Sequence, residues 1–164
     1  MIIFPVNKLF LNNVKYILTI ALVILLFWAI SRTPNASPAP TPTFKEKLAG
    51  QILIQVENNG RAWYIEPQTY QRYPINSPQD GWELFQKLST TTDRLKWQEI
   101  KNWPPDKLTG TIVKIKEEPN IIYYFSPITK SWHKLLNSTD IFNLIKLTGR
   151  GILNKDLQKI PLAK

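Results

Sequence analysis

Few residues of this chain are of a type that does covalent chemistry. His133 is the single histidine among 164 residues, and there is no cysteine. Thiol nucleophiles, disulfide frameworks, zinc ribbons and thiolate-ligated iron–sulfur clusters are therefore excluded. His133 lies in Lys130-Ser131-Trp132-His133-Lys134, a short strand pattern in which the ring packs or faces solvent. Glu117-Glu118 stands beside Pro119 and reads as a solvated hairpin turn. An acid/base pair needs two carboxylates converging across a cleft. No phosphate loop, nucleophile elbow, dinucleotide fingerprint or metal-ligand spacing occurs. The expectation is a non-enzyme with no cofactor.

Binding residues are better represented. Trp63, Tyr64 and Tyr73 cluster in one stretch, and Tyr123, Tyr124 and Trp132 in another. Such rings could stack on sugars. Side chains alternate along a strand, so only one of Trp63 and Tyr64 is expected in a core, leaving the other exposed. The competing reading packs all of these rings under helices. Lys130 and Lys134 flank Trp132 and extend the candidate ligand contacts. The formal charge is +9, but residues 44–102 hold 8 basic and 7 acidic groups, whereas residues 103–164 hold 10 and 5. The second half could face an anionic or glycan envelope polymer or an envelope protein, or its charge could be a solvated face. No nucleic-acid motif accompanies it, so nucleic acid is not an expected partner.

The elements that position these residues repeat. At an offset of 60, Lys47-Leu48 matches Lys107-Leu108, Gly50 matches Gly110, Tyr64 matches Tyr124, Asp80 matches Asp140 and Ile100 matches Ile160. Ile52, Glu57, Pro67, Thr69, Leu84 and Gln98 recur likewise. Each copy parses as a hairpin (Gln51–Glu57 and Arg61–Glu66 around Asn58-Asn59-Gly60), then a short strand at Arg72–Ile75. The period then changes to helical. Gly81, Leu84, Phe85 and Leu88 form one stripe; Ile141, Leu144, Ile145 and Thr148 form the other. Ser77-Pro78-x-Asp80 and Asn137-x-x-Asp140 are helix starts, which makes the two repeated aspartates capping groups rather than catalytic ones. A second short helix is expected near Thr92–Lys101 and Asn154–Ile160. The first strands alternate differently, so the copies have diverged or one is shifted in register.

These residues resemble a repeat module of uncharacterised surface proteins from ultra-small bacteria. Copy one carries the resemblance in Gly50, Ile52-Leu53, Gln55-Val56-Glu57, Gly60, Ala62-Trp63-Tyr64, Pro67 and Arg72-Tyr73. Copy two carries it in Gly151-Ile152, Asn154, Asp156-Leu157 and Lys159-Ile160-Pro161. The turn at Thr69-Tyr70-Gln71 departs from it, since a glycine is usual there. The resemblance implies an envelope location and a non-enzymatic module, and transfers no site residue. The hairpin around Ala62-Trp63-Tyr64 also resembles the short aromatic repeats of choline- and glucan-binding proteins, which lack the helix.

Upstream, Tyr16 to Ser31 is uncharged between Lys15 and Arg32. As a helix it would be ~24 Å long, close to a ~30 Å hydrocarbon core that snorkelling Lys15 and Arg32 help to span. Ala29-Ile30-Ser31 offers small residues for a signal peptidase, but the apolar run is long for a cleaved signal, which favours an anchor. Lys8 and Lys15 precede the run and only Arg32 follows it before Lys45, so the N-terminus is expected in the cytoplasm. Residues 33–43 hold four prolines among small polar residues and read as an extended spacer. The Asn35 and Asn137 glycosylation patterns are chance matches. The expected fold class is α+β: a stub and transmembrane helix (1–32), a proline linker (33–43), and two tandem βββα(α) modules (44–102 and 103–164) packed together. The expected protein is a single-pass cell-membrane protein, its C-terminal domain extracytoplasmic, attached through residues 16–31. The alternative is a secreted module that binds carbohydrate or wall polymer through hairpin aromatics.

Overall fold

Asn59 and Gly60, with φ of 50° and 72°, occupy the left-handed region that a tight hairpin turn requires. They join Ile52–Gln55 (β1) to Arg61–Ile65 (β2) in an antiparallel pair, Ile52 opposite Tyr64. The computed structural model containing this hairpin describes residues 41–57 and 59–164. The expected anchor at 16–31 and most of the spacer at 33–43 lie outside the described residues. Among those described, no helix is long and apolar enough to cross a membrane.

A four-residue helix, α1 (Phe44–Lys47), precedes the hairpin, and Arg72–Ile75 (β3) pairs with β2 on its other side. Helix α2 (Pro78–Leu88) then starts as its sequence predicts. Ser77 Oγ accepts the Asp80 N–H at 3.1 Å and donates to the Asp80 carboxylate at 2.8 Å. A cap of this kind contributes about 1 kcal/mol. Next come Thr90–Thr92 (β4), Arg94–Ile100 (α3) and a 3-10 turn at Pro105–Leu108. The second copy follows 60 residues later: Ile112–Ile115 (β5), Glu118–Ser126 (β6), Ser131–Leu135 (β7), Ser138–Thr148 (α4), Arg150–Ile152 (β8) and Asn154–Leu157 (α5). In it Asn137 Oδ1 caps α4, and Asp140 Oδ2 accepts the Leu136 N–H at 2.7 Å. The two first strands share one register, Ile112 standing opposite Tyr124 as Ile52 does opposite Tyr64. Their difference is a bulge at Lys114/Ile115, which pairs Ile115 with Glu118. Glu118 therefore opens a strand.

The fold is mixed α+β, with two four-stranded sheets and five α-helices among the described residues. The strand orders are β3-β2-β1-β8 and β4-β5-β6-β7. Strand β8 lies parallel to β1, with Leu53 opposite Arg150, and β4 lies parallel to β5, with Thr90 opposite Val113. Each copy thus lends its fourth strand to the other copy's sheet, and α2 and α4 are the crossing connections. The expected module had no fourth strand.

Packing explains why the exchange holds. Ile52, Tyr64, Phe85, Ile112, Tyr124 and Ile141 share one core drawn from both sheets and both long helices. Gly81 makes room there, since a Cβ on it would lie 2.7 Å from Ile141 Cγ2. The outer faces are covered too. Leu53, Trp63 and Ile65 pack with Leu157 and Ile160, while Val113, Ile115 and Phe125 pack with Trp97 and Ile100. Burial, at roughly 1.5–3 kcal/mol for each large apolar side chain, outweighs the three partly or largely exposed ion pairs Arg94–Glu118, Lys96–Glu99 and Lys159–Asp156. Such pairs contribute about 0–1 kcal/mol each.

Candidate functional site

Covering both faces of each sheet overturns the expectation that only one of Trp63 and Tyr64 lies in a core; both pack, as in the competing reading. Tyr64 is 1% exposed, Tyr124 0% and Trp63 7%. Tyr64 and Tyr124 face the shared core, where each hydroxyl donates to a backbone carbonyl of the other copy. Burial pushes both phenols well above their ordinary pKa. They are fasteners of the fold, and their rings are out of a ligand's reach. Trp63 lies on the outer face, with the Arg72 guanidinium 5.0 Å and the Arg61 guanidinium 5.8 Å from its ring centroid. Its Nε1 donates to Gln55 Oε1 at 3.1 Å. Trp63 is likewise a packing residue.

The other sequence-predicted contacts keep some exposure without forming one surface. Tyr73 is half-buried against the inner core, opposite Tyr64. Tyr123 and Trp132, half-buried on the outer face of the second sheet, are capped by Trp97, with ring centroids 4.5 and 4.8 Å away. The Tyr123 hydroxyl donates to Glu118 at 3.1 Å, and Arg94 donates to the same carboxylate at 2.8 Å. These bonds, Arg94's first, hold Glu118 below the usual carboxylate range, while burial and then the Glu118 contact raise Tyr123. Lys134 is exposed opposite Tyr123, and Lys130 is exposed in the β6–β7 turn with φ 54°. Tyr73 lies in the first sheet, whereas Tyr123, Trp132 and Lys134 lie in the second, with Lys130 in the turn between two of its strands. His133, partly buried, has Nε2 2.7 Å from Thr129 Oγ1, and burial lowers its pKa. Among the described residues no three His, Asp or Glu side chains are placed to hold a metal ion.

Among the described residues, concave surfaces that the sequence did not predict arise where the copies meet. A cleft of about 400 Å³ lies between the Asn59–Arg61 turn, Asn76-Ser77-Pro78 at the start of α2, and Phe142 and Ile145 of α4. The exposed Phe142 ring carries Lys146 Nζ 5.4 Å from its centroid. A second cleft, about 280 Å³, lies between α1 and the β8–α5 corner, with Phe44, Leu53, Arg150, Leu153 and Asp156 in its walls. The available signal was small: Phe142 matches half-buried Trp82, and Phe44 and Leu153 stand where the other copy has Pro104 and Asp93. Chemically, both clefts combine apolar walls with scattered polar groups, which suits binding. Neither sets two carboxylates, or a nucleophile and a base, against each other. Comparison with family models, curated proteins and solved structures returns no match to this chain.

Proposed function

We propose that the chain is a membrane-anchored extracytoplasmic protein whose duplicated βββα(α) unit is a non-catalytic binding or structural module at the cell envelope. One observation carries this reading. The 16 uncharged residues Tyr16–Ser31, bounded by Lys15 and Arg32, run through a proline-rich spacer into a separate folded unit, Pro42–Lys164. The interlocked sheets support the non-catalytic part, since Trp63, Tyr64 and Tyr124 pack inside the fold and Asp80 and Asp140 bond at helix starts.

A topology reporter fused after Lys164 tests the reading. Activity of a reporter that works only outside the cytoplasm is the expected result. Activity of one that works only inside the cytoplasm contradicts it.

A further inference from the structure

The two copies present related surfaces, and the differences between them identify a partner. The cleft beside α1 is flanked by Phe44 and Leu153, 41% and 40% exposed. Arg150 lines the cleft with these two side chains, Lys159 Nζ lies 5.4 Å from the Phe44 ring centroid, and exposed Lys155 follows Leu153 by two residues in α5. The same short helix as Phe44 adds Lys45 and Lys47. Asp156 pairs with Lys159 at 2.7 Å, and Glu46 and Glu57 accept the Thr43 and Asn154 N–H groups, each at 2.6 Å; against these three carboxylates stand five basic groups, so the face keeps a net positive charge. Arg150 and Lys155 form no ion pair among the described residues.

Sixty residues away in register, the equivalent surface keeps basic groups but pairs them: Arg94 with Glu118, and Lys96, 5.6 Å from the Trp103 ring centroid, with Glu99. Pro104 stands for Phe44 and Asp93 for Leu153, while Thr90 stands for Arg150 and Glu99 for Lys159. That surface keeps one exposed apolar side chain, Leu95 in place of Lys155. Of two faces built on one plan, the apolar-and-basic one is the face whose helix begins directly after the spacer. Eleven residues, 33–43, lie between it and Arg32 in the sequence.

We infer that this face, with Phe44 and Leu153 at its centre and Arg150, Lys155 and Lys159 around them, docks on an anionic lipid surface. The inference rests on the membrane-anchored reading. Aromatic and aliphatic side chains enter the headgroup region, and basic groups beside them meet lipid phosphates. Docking holds the unit against the bilayer that carries the anchor and turns the opposite side outward.

The chain has no cysteine, so full-length Leu153→Cys can carry one environment-sensitive fluorophore. It is reconstituted in vesicles of phosphatidylcholine alone or with about one-third phosphatidylglycerol. The expected result is a blue shift at position 153 in anionic vesicles only, reversed by high salt, with no shift for Asp93→Cys. Lys155→Gln or Arg150→Gln should each lower the ratio of docked to undocked label roughly five-fold. A label that stays aqueous at 153 in anionic vesicles overturns the inference. So does an equal shift with soluble polyphosphate and no vesicle, which would make a polyanion the occupant. Failure of the chain to float with zwitterionic vesicles contradicts the anchor reading alone. The response at 153 to anionic vesicles still decides the docking.

Discussion

Tyr64 and Tyr124, 60 residues apart, meet edge to face with ring centroids 6.4 Å apart and planes at 79°. The Tyr64 hydroxyl donates to the Gly110 carbonyl at 2.9 Å, and the Tyr124 hydroxyl donates to the Gly50 carbonyl at 2.7 Å. Each tyrosine thereby fastens the strand entry of the opposite copy. Removing one hydroxyl leaves a buried carbonyl without its partner, a loss of about 1–3 kcal/mol. Tyr64→Phe and Tyr124→Phe should each lower stability by that amount in urea unfolding. A change under about 0.5 kcal/mol in both would show that the bonds do not hold the halves together.

Gly50 and Gly110 meet at the same place. Both have positive φ, 71° and 66°, and a Cβ on either would overlap the backbone of the other. Gly50→Ala and Gly110→Ala combine overpacking, typically 1–3 kcal/mol, with a left-handed backbone penalty of about 1–2 kcal/mol. The expected loss is several kcal/mol, read as a lower urea midpoint. Gly60→Ala also carries a positive φ, but among the described residues the nearest neighbour on the Cβ side, Ile54 Cγ2, lies 3.9 Å away. It should cost only the backbone part.

Strand exchange makes the copies interdependent. Residues 42–102 alone would leave β1 without β8, β4 without β5, and half of the shared core exposed. A unit of ~60 residues buries only ~60% of its unfolded surface even when complete. Fragments 42–102 and 103–164 should each lack a cooperative transition by circular dichroism and regain one on mixing. A cooperative transition in either fragment alone would contradict the interlocking.

How far the sequence reveals this fold depends on range. Ser77 with Asp80, the Arg61–Ile65 and Arg72–Ile75 strands, and the Gly81–Leu88 stripe are local patterns, and each reads correctly from neighbouring residues. The Tyr70 turn is legible in a different way. The module that the sequence resembles carries a glycine at this turn, and here Tyr70 itself adopts φ 56°. The exchanged strands are not legible. Thr90–Thr92 and Arg150–Ile152 are three residues long, too short to show an alternating pattern, and their partners lie in the other copy. Without these strands the number of covered sheet faces is not evident, so strand alternation alone leaves open whether Trp63 and Tyr64 both pack. The apolar docking face was hidden for a similar reason, since Phe44 and Leu153 become neighbours only when β8 pairs with β1.

His133 makes stability depend on pH. Burial lowers its folded pKa below the ordinary value of 6.5. A depressed histidine binds fewer protons folded than unfolded. Its contribution is therefore fully present above the unfolded value and is lost as pH falls through the window down to the folded value. Glu118 and Asp156, both held below the usual carboxylate range by their ion-pair partners, remain ionised across that window. The melting temperature should fall as pH drops from about 7.5 to 5.5. His133→Tyr, which installs the residue found at the matching position of copy one, should flatten that slope. An unchanged slope in the variant would place the dependence elsewhere.

The central claim is that residues 16–31 anchor the chain and leave the folded unit outside the cytoplasm. Gln68, exposed in the β2–β3 turn, accepts the only thiol needed for a direct test. Full-length Gln68→Cys is expressed in bacterial cells, and spheroplasts are treated with a membrane-impermeant maleimide before and after lysis. Full labelling of intact spheroplasts is expected, with the labelled chain kept in the membrane fraction through alkaline carbonate. Labelling that requires lysis, or release of the chain by carbonate, would contradict the central claim.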